Sequence, residues 1–338
     1  MSGAVSVPDL ARNLSVGGHS LPSRAFLAPM AGITDAPMRK LAERFGAGWV
    51  VSEMIASNAL ATGHDDMVRK LRKSGSLPHV VQLAGCEAEW MRRGAEIAAE
   101  AGADIIDINM GCPSKRVTNG YAGSALMRVP DEALKLIDAV VAATPLPVTV
   151  KMRLGWDEDN LNAPALARRA VDAGAQMITV HGRTRQQFYK GEARWNLVRP
   201  VVDAIDVPVV VNGDIIDLGA AQGALAASGA AAVMIGRGAQ GQPWMVGQIG
   251  AALAGEPVPA GPANDELTAL ISEHYEGILV EYGTRVGVRA ARKHLDWYLE
   301  ASGAPIDRET RKLLLNNEDP ADVLRMITGV FDGWRDAA

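Results

Sequence analysis

Short β-branched runs return along this chain with a helix-length segment between each pair, and that alternation leaves few folds open. Strands are expected at 24–28, 49–53, 79–83, 104–109, 147–152, 176–181, 207–212 and 231–235. Helices are expected between them, among others at 88–101, 131–143, 163–173 and 218–228. Three of these helices run into a glycine just before the next strand, as Ala101-Gly102-Ala103, Ala173-Gly174-Ala175 and Ser228-Gly229-Ala230, which is how helix ends are closed. Val148-Thr149-Val150 and Val209-Val210-Val211 read as strands covered on both faces, which parallel sheets require. Eight β/α units fit a (β/α)8 TIM barrel, with a doubly wound open sheet as the alternative, since periodicity does not show closure.

The texture changes at residues 255–263, Gly-Glu-Pro-Val-Pro-Ala-Gly-Pro-Ala, a Pro/Gly-rich linker. The division expected is a barrel domain over 1–254 and an all-helical bundle over 264–338, with helices at 266–282, 285–300, 308–315 and 321–334. Acidic residues outnumber basic ones in the bundle, yet Arg285, Arg289, Arg292 and Lys293 fall on one helix face, in a stretch without an acid. Such a stripe is either a solvated face paired with carboxylates or a contact for phosphates.

With 48% hydrophobic residues and 22% charged, the chain can bury a large core, and a net charge of −5 excludes a generally basic surface. Any nucleic acid must then meet a local patch. Cys86 and Cys112 lie in unrelated contexts and form no disulfide framework, which fits a reducing compartment. The start of the chain lacks the pattern of a leader, and no run approaches the roughly 20 apolar residues of a membrane span. A cytoplasmic protein with no membrane association is expected.

In a barrel, chemistry collects at the carboxyl ends of the strands. The fourth unit delivers Asn109-Met110-Gly111-Cys112-Pro113, where Ile105, Ile106 and Ile108 make the strand, Gly111 breaks it and Pro113 fixes the chain beyond the thiol. The first unit ends in the tight turn Ala28-Pro29-Met30-Ala31-Gly32, which can approach a flat ring, and the third at Gln82, an amide suited to a heterocycle edge. Lys151 ends an apolar run and points a cation into the mouth, where an anion should meet it. The last two units end in Asn212-Gly213-Asp214 and Gly236-Arg237-Gly238, a phosphate grip of glycine amides and an arginine. Residues 114–123, with Lys115 and Arg116, read as a basic lid, and Cys86 reads as a structural thiol.

Together Ala28–Asp35, Asn109–Pro113, Val180-His181-Gly182-Arg183-Thr184-Arg185, Asn212–Asp214 and Gly236–Gly238 resemble the tRNA-dihydrouridine synthases, most of all the bacterial DusB subgroup, over nearly the whole chain. The resemblance implies a flavoenzyme that reduces a D-loop uridine of tRNA, with FMN as cofactor and NADPH or NADH as reductant. It implies FMN contacts from Pro29, Met30, Ala31, Gln82, Lys151, His181, Asn212, Gly213, Asp214, Gly236 and Arg237. Asn109 would hold the flipped uracil, Cys112 would be the acid, and Lys115, Arg116, Arg183, Arg185, Arg285, Arg289, Arg292 and Lys293 would face substrate. Hydride would pass to uracil C6 and a proton from Cys112 to C5. Thiols ordinarily titrate near 8.5, so Cys112 is expected to act without special tuning. No metal is implied, and a monomer is expected. Two other readings stay open: an FMN enzyme acting on a free pyrimidine or small enone, for which a cation-striped helical domain has no use, and a non-catalytic tRNA binder, for which Cys112 and Lys151 have none.

Overall fold

The computed structural model describes residues 14–335. The expected absence of a leader in residues 1–13, and residues 336–338 of the expected helical domain, lie outside the described residues. Strands β1 (Leu14–Val16) and β2 (His19–Leu21) form an antiparallel hairpin that the sequence reading did not anticipate. Its turn is Gly17-Gly18, both at positive φ, as a two-residue hairpin of this hand needs. There follow β3 (Ala25–Leu27), β4 (Trp49–Val50), β5 (Ile55–Ala56), β6 (Val80–Ala84), β7 (Ile105–Met110), β8 (Val148–Arg153), β9 (Ala175–His181), β10 (Val209–Asn212) and β11 (Ala232–Ile235). All nine belong to one parallel sheet in the order β4-β3-β11-β10-β9-β8-β7-β6-β5.

The two edges of that sheet are consecutive in the chain. β4 and β5 are pieces of one stave, expected as a single strand at 49–53, and Val51 between them bridges to Val80 while the Ser52 amide donates to the Val80 carbonyl at 3.0 Å. The sheet thereby closes into an eight-stave barrel. The break frees Glu53, which is buried and accepts a hydrogen bond from the Gly32 amide at 2.5 Å. A polar residue in mid-stave thus supports the turn after β3.

Side chains alternate across each strand. Leu27, Val81, Leu83, Ile106, Ile108, Val150, Met152, Ile178, Val180 and Ile235 face outward and join Met91, Ile137, Leu166 and Val246 of the surrounding helices in the main core. The inward residues change along the barrel axis. At the amino-terminal end Phe26, Trp49, Val80, Ile105, Met177, Val210 and Met234 pack with Leu14, Val16 and Leu21, so the hairpin stoppers that end. Each such side chain contributes about 1.5–3 kcal/mol by leaving water. Toward the carboxyl ends the interior turns polar, with Gln82, Asp107, Asn109, Thr149, Lys151, Thr179, His181 and Asn212 all buried.

Beyond the helix Met245–Ala254, ended by Gly255 at φ 71°, residues 256–263 carry no regular structure. Four helices follow, Asp265–Tyr282, Thr284–Ser302, Arg308–Asn316 and Pro320–Arg335. Ile271, Tyr275, Ile278, Ala291, Leu295, Tyr298, Ile327 and Phe331 form their core, which Leu41 of the barrel helices joins. Glu281 fastens the helices to the barrel, taking Arg69 at 3.4 Å and Arg72 at 3.0 Å with its own side chain 7% exposed. A Cβ on Gly241 would stand 2.2 Å from the Trp297 carbonyl, a close approach that glycine permits. This placement sets the helices against the loops at the carboxyl ends of the strands.

Candidate active site at the barrel mouth

A cavity of about 730 Å3 opens at the polar end of the barrel, a volume within the usual range for small-ligand sites. Its wall includes Pro29, Met30, Ala31, Gln82, Lys151, His181, Asn212, Gly213, Asp214, Gly236 and Arg237, together with Asn109, Cys112 and Arg183. Staves distant in sequence therefore converge on one space, as the reading of the strand ends anticipated. One part of the wall is apolar, from Ala28 to Ala31 with Ile33 and Met54; the part at the carboxyl ends of β8, β9 and β11 carries the cations.

The thiol of Cys112 is half-buried on a turn held from three sides. Asn109 Oδ1 accepts from the amides of Gly111 at 3.1 Å and Cys112 at 2.9 Å. The Cys112 carbonyl accepts from the Ser124 amide at 3.1 Å and hydroxyl at 2.9 Å. The Gly111 carbonyl accepts from Arg153 Nε at 2.8 Å. Arg153 also donates to the carbonyls of Thr184 and Phe188, both at 2.9 Å, so one buried guanidinium ties the cysteine turn to the loop after β9. Burial holds Arg153 down to about 10.

On the cationic wall Lys151 donates to Asn212 Oδ1 at 3.1 Å, and burial, with Arg153 nearby, pulls its ammonium down to about 8. His181 lies well below the ordinary histidine range because it is buried and because Arg153, Lys151, Arg183 and Arg237 surround it. It is neutral at pH 7. Arg183 is 2% exposed and spends its donors on protein: both Asp214 oxygens, at 2.8 and 2.5 Å, and the carbonyls of Lys190 and Gly191. It braces Asp214 from below. Asp214 stays below the usual carboxylate range despite partial burial, through Arg183, the Ala193 amide and Arg237. Gly213 has φ 116°, and a Cβ there would stand 3.0 Å or less from the His181 ring and Ala193. Arg237, 57% exposed, reaches over the Tyr189 ring with its carbon 5.3 Å from the centroid.

Of the other residues read from the sequence, Lys115 and Arg116 are exposed on the short helix Lys115–Thr118 beside the cysteine turn. Arg185 lies between Trp156 and Phe188, 4.7 Å from each ring centroid, and donates to Thr118. Arg285 and Arg289 are exposed, and Arg289 and Arg292 both approach Glu318, at 3.4 and 3.6 Å. The stripe free of acids in sequence thus meets one from the connection between the last two helices. Lys293 reaches the barrel mouth, its Nζ 3.3 Å from where a Cβ on Gly32 would be. Cys86 is exposed, which corrects its reading as a structural thiol: it precedes the helix Ala88–Glu100 and packs into no core.

Sequence reasoning missed Asp107, Glu53, Arg153 and Tyr189. Asp107 offered a signal, a lone carboxylate in the run Ile105-Ile106-Asp107-Ile108, which has to find a partner if the strand is buried.

Comparison with known proteins places the chain in a family. A family profile described as Dihydrouridine synthase (Dus) matches residues 26–331. A "Probable tRNA-dihydrouridine synthase" of Rhodobacter capsulatus is 53% identical over 320 residues, covering 94% of this chain and 98% of its own. A "tRNA-dihydrouridine synthase B" of Pseudomonas aeruginosa is 45% identical over 288 residues, covering 84% and 86%. Among solved structures, morphinone reductase with tetrahydroNAD superposes with a TM-score of 0.51 at 17% identity, over 77% of this chain and 94% of that one. A 2-naphthoyl-CoA reductase complex gives 0.58 at 11% identity, over 74% and 52%. These two speak to the barrel fold alone. On its sequence profile and its relatives, the chain belongs to the dihydrouridine synthase family.

Proposed function

We propose that this protein reduces the C5–C6 double bond of a D-loop uridine in tRNA to 5,6-dihydrouridine, with FMN held at the barrel mouth and NADPH or NADH as reductant. The observation that carries the reading is that Cys112 and the cationic, glycine-lined wall open onto one cavity. The printed names of the relatives point to the same reaction.

The residues fit FMN. At Gly213 the space of a Cβ is taken by the His181 ring and Ala193, so only glycine fits there, and the Gly213 and Gly236 backbone lines the cavity with Arg237, where a phosphate would be held. Lys151 is a buried cation that, among the described residues, donates to an amide oxygen, and an anionic ring would complete its environment. The apolar turn Pro29-Met30-Ala31 offers a face for the isoalloxazine. When bound and reduced, FMN supplies the hydride that uracil C6 receives.

The chain's own residues do the rest. The half-buried Cys112 thiol delivers a proton to C5 and recovers one from solvent, a step of general acid catalysis that contributes typically 10²–10⁴-fold. Asn109 gives one Nδ2 hydrogen to Gln82 at 2.7 Å and keeps the other for a uracil carbonyl. The uridine has to leave its stack to reach this depth. Lys293 and the exposed Arg285 and Arg289 then meet the phosphates outside.

The purified protein should release FMN on acid precipitation, NADPH should bleach its visible absorbance, and tRNA lacking dihydrouridine should restore it. Restoration by free uridine as readily as by tRNA would overturn the RNA reading in favour of a small-molecule reductase.

A further inference from the structure

Four buried side chains inside the barrel form a single hydrogen-bonded row. Thr149 Oγ1 donates to Asp107 Oδ1 at 2.6 Å, and Gln82 Nε2 donates to Asp107 Oδ2 at 2.7 Å. Gln82 Oε1 accepts from Asn109 Nδ2 at 2.7 Å, and Asn109 Oδ1 accepts from the Gly111 and Cys112 amides. Asp107 is 4% exposed, Gln82 1% and Asn109 7%; Gln82 and Asn109 edge the cavity, and Asp107 does not line it.

We infer that Asp107 is a positioning residue for the Cys112 turn, acting through Gln82 and Asn109. A primary amide can face a neighbour with either end, so a row of two amides has two senses. An ionised carboxylate only accepts. It compels Gln82 to turn its NH2 inward, which leaves Oε1 toward Asn109, which in turn leaves Asn109 Oδ1 for the two backbone amides. In the opposite sense Asn109 would set its NH2 against two N–H groups, and the turn would open. Burial lifts the Asp107 carboxyl to about 6, against the hydrogen bonds of Gln82 and Thr149 and the Lys151 charge, so it is ionised at neutral pH. The link to proton delivery rests on the proposed function; the control of the turn does not.

The test measures the alkylation rate of Cys112 by iodoacetamide in the full-length protein as purified, at matched flavin content, resolved by peptide mass spectrometry. The exposed Cys86 is an internal control. Asp107→Leu removes the acceptor without leaving a hole, and Cys112 alkylation should rise roughly tenfold, the scale of a lost hydrogen bond, while Cys86 is unchanged. Asp107→Asn keeps an acceptor for Gln82, because the Thr149 hydroxyl can accept from the other end, and should stay near the parent rate. Flavin reduction by NADPH should survive in Asp107→Leu while reoxidation by tRNA slows. An unchanged Cys112 rate in folded Asp107→Leu overturns the inference. So does Asp107→Asn behaving like Asp107→Leu, which would make the charge opposite Lys151 the point instead. Should Asp107→Leu not fold, Gln82→Leu cuts the row one link further on and must raise the rate as well, or the inference falls. Alkylation reads the turn whether or not the chain reduces uridine, so failure of the functional reading leaves this arm intact.

Discussion

The barrel mouth and the helix Thr284–Ser302 both gather cations, and they do so under opposite conditions. At the mouth Lys151, Arg153 and Arg183 are buried and each is held by named oxygens of the protein, from Asn212, from three carbonyls, and from Asp214 with two more. On the helix Arg285 and Arg289 are exposed, and Arg289 and Arg292 share the carboxylate of Glu318 at separations of 3.4 Å and more. Buried cations need fixed partners and give a rigid, pre-set field; exposed ones are screened, and each contributes little alone. The first arrangement suits a small ligand bound in one pose. The second suits a polyanion met at several points.

The largest effect expected from breaking the mouth is chemical. Cys112→Ala should slow dihydrouridine formation by about 10²–10⁴-fold, the usual range for a general acid, while flavin content and NADPH-driven bleaching persist. Loss of flavin along with activity would make Cys112 structural. Next comes the brace beneath Asp214: Arg183→Met leaves that carboxylate without its buried partner and should cost about 3 kcal/mol, toward the lower end for a broken buried pair because Asp214 is partly exposed. Thermal unfolding checks this, and a shift no larger than that of an ordinary surface substitution would contradict it. A smaller effect follows from pH. Lys151 titrates at about 8, so the protonated form that holds an anion prevails below that pH and is lost above it. Flavin affinity should therefore fall as pH rises through about 8, and Lys151→Met should flatten that dependence. The smallest change belongs to the helix stripe: Arg289→Ala should weaken tRNA binding only modestly and lower the salt slope by about one. A hundredfold loss of binding from that single exposed arginine would erase the contrast between the two regions.

Much of the barrel was legible because its outward faces are apolar at every second position, as in Ile106, Ile108, Val150 and Met152. The strand ends were legible because glycines and polar residues interrupt those runs at Gly111, Gly213 and Gly236. What escaped depends on partners far away in the chain. The carboxylate that meets Arg289 lies 29 residues on, and the carbonyls held by Arg153 lie 31 to 42 residues away. The stave of β4 and β5 looked continuous because Val50 and Val51 are apolar, while the role of Glu53 is set by the Gly32 amide 21 residues earlier. Asp107 and Thr149 were read into apolar strands, since a run of letters does not say that alternate positions face a polar interior. The hairpin of β1 and β2 is too short for any period to register.

The most direct measurement incubates the protein and its Cys112→Ala variant with NADPH and tRNA lacking dihydrouridine, then maps two-hydrogen mass gains along the RNA by fragment mass spectrometry. The account predicts a gain confined to a D-loop fragment with the parent protein and almost none with the variant. A gain elsewhere in the tRNA, an equal gain with both proteins, or no gain from a parent protein that carries flavin and oxidises NADPH would contradict it.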